Sequence, residues 1–217
     1  VPDHYPVPTA PATGEFRDRG SKFVAALLPV RSEEEALAAV AEQQRLHPKC
    51  NHHCYAYRLG EGPDRYRAND DGEPSGTAGK PILGQMDKAA LSDIVIIVSR
   101  YYGGTKLGTS GLINAYREAA RRAIEAAPIG DRLLTTRLTL TFGYERMSDV
   151  MSALSQLQLE MAESDFGETA TVILDLPRSS VPETVQQLEV VIGSVDIGCL
   201  KHPMSTNGRV LISVDAA

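Results

Sequence analysis

Apolar and polar positions alternate along this chain in two distinct rhythms, and the change from one to the other predicts its elements. Phe23, Val24, Leu27 and Leu28 within residues 15–28 predict a first strand. Ser32 and Glu35 have capping-box spacing, and the helix they open gathers Ala36, Leu37, Val40 and Ala41 on one side before His47 and Pro48 stop it. Residues 54–59 alternate as a strand, and Pro81 suits the first turn of a short helix over 81–91. The run IVIIV within residues 93–99 is β-branched without interruption, which predicts a central strand buried on both faces. A longer helix follows, to about residue 127. It gathers Leu112, Ile113, Tyr116, Ala120, Ala123 and Ile124 on one face, and Asn114, Arg117, Glu118, Arg121, Arg122 and Glu125 on the other.

Residues 128–132 place Pro, Gly and Asp between regular segments, the composition of a domain boundary. Beyond it, Leu138, Leu140 and Phe142 alternate with threonines as a strand. Met147, Val150, Met151, Leu154 and Leu157 have helical spacing. Strands are expected at 159–165 and 170–176, then a helix opened by the capping-box pair Ser180 and Glu183, then a last strand over 210–214. The order β-α-β-β-α-β is that of a ferredoxin-like unit. Pro2, Pro6, Pro8 and Pro11 predict an extended, mobile arm over residues 1–14. The expected organisation is therefore α+β: the arm, a domain over 15–130 and a second over 131–217.

Composition adds exclusions. Apolar residues make up 42% and charged residues 23%, as in ordinary globular domains, and no apolar run approaches a membrane span, so no membrane partner is expected. The first residues lack the basic start and apolar core of a secretory signal. Three scattered cysteines do not make a disulfide framework, which points to a reducing, cytoplasmic setting. A net charge of −6 argues against non-specific coating of nucleic acid, so any such partner must meet a local basic patch. The sequence leaves the oligomeric state open.

Two glycine-rich loops carry the candidate chemistry. In DDGEPSGTAGKP, the carboxylates Asp70, Asp71 and Glu73 suit a hard cation. The small residues from Gly72 through Gly76, Thr77 and Gly79 to Lys80 let successive N–H groups converge on an anion. A solvated acidic turn is the plain alternative. In RYYGGTKLGTSG, between the buried strand and the long helix, orphan N–H groups and the helix dipole favour an anion. Its candidate ligand-binding residues are Arg100, Tyr101, Tyr102, Gly103, Gly104, Lys106, Gly108, Ser110 and Gly111, with Arg117 one turn into the helix. Gly103 and Gly108 have P-loop spacing, but Thr109 and Ser110 stand where Lys and Ser/Thr belong, which speaks against a nucleoside triphosphatase. Five cations between residues 99 and 122 face the single Glu118, and the two tyrosines add stacking surface. The alternative here is a solvent face laced by Glu118–Arg122 and Arg121–Glu125 pairs.

Cys50, His52 and Cys54, two apart, would share one face of a strand, and Cys199 with His202 would complete a zinc site only if the chain folds back there. The spacing is not that of usual zinc sites, and no cofactor is expected. Cysteine–histidine nucleophilic catalysis requires an adjacency that spacing does not provide.

Three ordered strings carry a resemblance: HHCYAYRLG at 52–60, NDDGEPSGTAGKPIL at 69–83 and VSRYYGGTKLGTSGLINAY at 98–116. Together they resemble the YigZ/IMPACT family. Ser110 stands where that family usually has glycine, and Asn114 where it usually has a basic residue. The resemblance implies a first domain similar to the second domain of ribosomal protein S5. It implies a second domain similar to the last, ferredoxin-like domain of elongation factor G. It points to RNA, the ribosome or translation factors as partners, and to a role in regulation of translation. The expected function is a non-enzymatic binding module. The alternatives are a metal- or nucleotide-dependent hydrolase built on Asp70, Asp71 and Glu73, and a module that binds only proteins.

Overall fold

The structure is a computed structural model that describes residues 3–62, 64–167, 169–193, 195–197 and 210–215. It divides into two compact units, Tyr5–Arg132 and a second formed by Val1–His4 with Leu133–Ala217. Cys199 and His202 lie outside the described residues.

The first unit is a five-stranded sheet covered on both faces. Its order is β2 (Ala12–Asp18), β3 (Ser21–Pro29), β6 (Ile94–Tyr101), β4 (His52–Arg58) and β5 (Tyr66–Asn69). The IVIIV run is β6, at the centre, as its composition predicts. Ile94, Ile96 and Val98 enter a core shared with α2 (Gly79–Lys88) and α3 (Gly108–Ala126), while Val95 and Ile97 enter one shared with α1 (Glu33–Leu46). All five are fully buried, each worth roughly 1.5–3 kcal/mol of apolar transfer. Ser32 caps α1 by accepting from the Glu35 N–H at 3.2 Å, as its spacing predicts.

Several boundaries differ from the sequence reading. The single strand expected over 15–28 is a hairpin, because Arg19 and Gly20 both take positive φ (44° and 81°) and turn the chain between paired Asp18 and Ser21. Residues 4–8 are extended as the prolines require, yet they are tied down. β1 (His4–Pro8) forms a two-stranded sheet with β7 (Ile129–Leu133), and Pro6 accepts from the Ser92 N–H at 3.1 Å. α2 starts at Gly79, two residues before Pro81, because a carboxylate from the preceding loop satisfies its first N–H groups.

In the second unit, β8 (Thr135–Phe142), α4 (Met147–Gln156), β9 (Glu163–Phe166), β10 (Ala170–Pro177), α5 (Val181–Ile192) and β12 (Val210–Asp215) follow the anticipated order, and β11 (Val195–Ile197) is an additional parallel partner of β12. The sheet order is β11-β12-β8-β10-β9. Leu138, Leu140 and Phe142 point into one core with Val150, Leu154, Val185 and Leu188. Ser180 does not cap α5: a 3-10 turn over Arg178–Ser180 leads into the helix, and the Ser180 hydroxyl donates to the Pro177 carbonyl at 2.8 Å.

β2 lies so close to α3 that a Cβ on Gly14 would stand 2.4 Å from the Ala123 nitrogen and 2.6 Å from the Ala119 oxygen. Gly14→Ala is therefore expected to lower stability by about 1–3 kcal/mol through overpacking. Chemical denaturation checks this, and an unchanged midpoint would contradict so close an approach.

Candidate functional site

Strand alternation sets up the site. Positions 94, 96 and 98 of β6 face α2 and α3, so Arg100 faces the same way at the strand's end. Sheet register pairs Arg100 with Phe23 on one side and His52 on the other. Its guanidinium lies 5.5 Å from the Phe23 ring centroid and 5.4 Å from that of Tyr102, cation–π distances for a charge beside aromatic faces. Arg100 is only 6% exposed, and its Nη1 donates to Glu73 Oε1 at 2.6 Å. The Tyr116 hydroxyl of α3 donates to the same oxygen at 2.7 Å, and the Cys54 sulfur lies 3.3 Å from that hydroxyl and 3.0 Å from the Asp70 carbonyl, either of which can accept its single S–H. This buried chain of contacts joins the acidic loop to the basic one. Burial pushes both the Cys54 thiol and the Tyr116 phenol well above their ordinary pKa values.

The other two carboxylates of the acidic loop accept from backbone N–H groups of the chain itself. Asp70 accepts from the N–H groups of Gly76, Ala78 and Gly79 at 2.8, 2.9 and 2.9 Å, closing the N-terminus of α2. Burial alone would raise its pKa, but these three donors outweigh that and hold it below the usual carboxylate value. Asp71 accepts from the His53 N–H at 2.6 Å, and its carbonyl lies 2.7 Å from His52 Nδ1. Thr77 donates to the Pro74 carbonyl at 2.6 Å. Gly79 is needed for close approach, since a Cβ there would stand 2.6 Å from the Asn69 nitrogen. Gly72 packs beside the His52 ring, and Lys80 is exposed.

The start of α3 is built differently. Among the described residues no side chain caps it, and its first turn holds no acidic residue, so the orphan N–H groups of Gly108, Thr109 and Ser110 stay open to that extent. A cavity of about 450 Å³ opens there, lined by Asn51, His52, Glu73, Pro74, Arg100, Tyr102, Lys106, Leu107, Gly108, Thr109 and Leu112. Both glycine-rich loops thus contribute to one cavity. Tyr102 is half exposed, and Lys106 is exposed with no ion-pair partner among the described residues.

Other expected members stand outside the lining. The Tyr101 hydroxyl bonds His47 Nδ1 at 2.8 Å. Gly103 packs so tightly on the hairpin turn that a Cβ would stand 2.0 Å from the Gly20 carbonyl carbon. Gly104, Ser110, Gly111 and Arg117 do not line the cavity. The helix cations are largely spent within the chain. Arg121 pairs with Glu118 and Glu125, while Arg122 donates to the Glu15 carbonyl and lies over the Phe16 ring, where a Glu118 pair was expected.

The zinc reading does not gain support. Cys50 precedes β4 rather than sharing its face with His52 and Cys54, and no cluster of three or more His, Cys, Asp or Glu side chains suited to a metal occurs among the described residues. Sequence reasoning had no place for Asn51, Pro74, Leu107, Thr109 and Leu112 in the wall, and it read Tyr116 as core only. The signal for Tyr116 is its hydroxyl: a buried tyrosine needs a polar partner, and Glu73 was the unassigned carboxylate.

Asp70→Asn is expected to cost about 1 kcal/mol at neutral pH, the typical value of a lost helix cap. Because the folded-state pKa of Asp70 is depressed, its contribution is present above the unfolded value near 4 and fades as pH falls through the folded one. The gap between wild type and variant in thermal melts should therefore narrow on acidification, and a gap constant with pH would contradict this capping role. Cys54 should resist thiol alkylation until the protein is denatured, whereas prompt native-state labelling would show the buried chain to be open.

Residues 19–124 match the Impact N-terminal domain. The chain is 33% identical over 179 residues to "IMPACT family member YigZ" of Escherichia coli strain K12, covering 82% of this chain and 88% of that protein. It is 34% identical to "IMPACT family member YvyE" of Bacillus subtilis strain 168 over 148 residues, 68% of each chain. A solved structure titled "Crystal structure of an hypothetical protein" superposes with a TM-score of 0.69 at 31% identity, covering 88% of this chain and 93% of that one. With the first unit's central strand, both glycine-rich loops and the cavity lying within the matched residues, and with relatives aligned across most of their length, the chain belongs to the IMPACT family.

Proposed function

We propose that this protein is a non-enzymatic binding module for single-stranded RNA, acting on the translation machinery in the cytoplasm. The observation that carries this reading is the contrast between two helix starts in one unit. Asp70 closes the first turn of α2, while the first turn of α3 is left open to a cavity that also holds Lys106. Open N–H groups, the positive end of a helix dipole and a mobile ammonium together suit a phosphate. Tyr102, half exposed beside Arg100, offers a face on which a base can stack. The second unit, with its β12-β8-β10-β9 strand order, fits the ferredoxin-like reading and the translation-factor resemblance. The hydrolase reading loses its proposed ligands, because Asp70 and Asp71 are each bound to the chain's own donors and Glu73 is paired with Arg100.

Binding of a single-stranded RNA, followed against salt, tests the reading. Lys106→Ala should weaken binding and reduce the salt slope by roughly one phosphate contact. Thr109→Glu should abolish binding while leaving the fold intact, because it places a carboxylate where the helix dipole welcomes one and where the phosphate would sit. Affinity indifferent to both substitutions would remove this cavity as the binding site.

A further inference from the structure

We infer that the cavity selects ribonucleotides over deoxyribonucleotides, with a 2′-hydroxyl donating to Oε2 of Glu73 while a neighbouring phosphate sits at the start of α3. This deepens the RNA-binding reading and rests on it.

The carboxylate of Glu73 is the uncommon feature. Its side chain is only 4% exposed, yet it lines the cavity. Both hydrogen bonds it receives, from Arg100 and Tyr116, arrive at Oε1. Among the described residues none arrives at Oε2. An ionised carboxylate has about four acceptor sites, and Oε2 does not figure among the buried atoms that lack a partner, so it is open to the cavity. The cavity therefore presents an acceptor, held in place by the two bonds to its neighbouring oxygen, to whatever enters. Arg100, directly beside it, is likewise buried, being 6% exposed, and its Nε has no partner among the described residues.

The identity of the donor follows from the surroundings. Lys106 and the start of α3 make the cavity's other wall electropositive, which disfavours an ammonium or a metal cation as the group meeting Glu73. A phosphodiester has no proton to donate and would be repelled by Oε2. The ligand that satisfies both walls carries an anion and, close by, a neutral donor. In RNA each phosphate has a 2′-hydroxyl next to it, and in DNA that hydroxyl is missing. A cavity of about 450 Å³ also lies within the range of small-ligand pockets, room for a single nucleotide unit. The contacts at α3 and Lys106 position the chain, and Glu73 reads the sugar.

A six-residue oligouridylate prepared in ribo, 2′-deoxy and 2′-O-methyl forms tests this with the full-length chain at one salt concentration. The 2′-O-methyl form keeps the ribose oxygen but cannot donate. The ribo form should bind about tenfold more tightly than either of the others, the order of one charge-assisted hydrogen bond. Lys106→Ala should weaken all three alike and preserve the ratio. Carbon-13 NMR of the wild-type carboxyl groups localises the effect without a substitution, since the Glu73 Cδ resonance should move with the ribo form only. Equal affinities, or a Glu73 resonance that moves with all three forms or with none, would overturn the inference while leaving the phosphate reading in place. Failure of every form to bind would overturn both.

Discussion

The site depends on the buried pairing of Arg100 with Glu73. Each residue comes from a different glycine-rich loop region, and each is almost fully removed from water. A buried pair is weak evidence for net stability, because desolvation consumes much of the attraction, but removing one partner typically costs about 3–5 kcal/mol by stranding the other. The pair therefore acts as a constraint. Wherever the acidic loop travels, Glu73 must return to the end of β6, and Tyr116 must lie close enough for its hydroxyl to reach the same oxygen. That condition brings the loop against the first turns of α3 and creates the cavity between them.

Two helix starts then face the same part of the unit with opposite provision. At α2 the protein supplies its own anion, in Asp70, with three N–H donors converging on it. At α3 it supplies none, and the nearest carboxylate is already engaged through one of its oxygens. The difference is chemical rather than conformational, since both segments use glycine to bring backbone groups into close quarters. An internal anion makes the first loop a structural element. The open turn, with Lys106 beside it, keeps the second available to a guest.

Much of the fold was legible from periodicity. The IVIIV run identified β6 as the central strand because only a strand covered on both faces tolerates apolar residues at every position. Leu138, Leu140 and Phe142 identified β8 by alternation. What periodicity missed were features held by turn chemistry or by distant partners. The hairpin at Arg19 and Gly20 lies in the polar run Arg17–Lys22, a turn signal that the apolar residues resuming at Phe23 outweighed in a reading by periodicity. β1 depends on β7, far along the chain. Composition drew attention to two loops that the structure brings to one cavity, but charge counting overstated the basic face. It could not foresee that Arg121 and Arg122 would be satisfied by Glu118, Glu125 and the Glu15 carbonyl. Nor could it tell the carboxylate that meets Arg100 at the cavity wall from those that accept from the backbone, which is why Asp70, Asp71 and Glu73 looked alike in the sequence.

The most direct test follows the backbone amides themselves. In a proton–nitrogen NMR titration with uridine 5′-monophosphate, the amide signals of Gly108 and Thr109 should move saturably, while those of Ala78 and Gly79, already bound to Asp70, should stay in place. Saturable shifts confined to other parts of the chain, or no shifts at all, would contradict the claim that the open turn of α3 holds an anion.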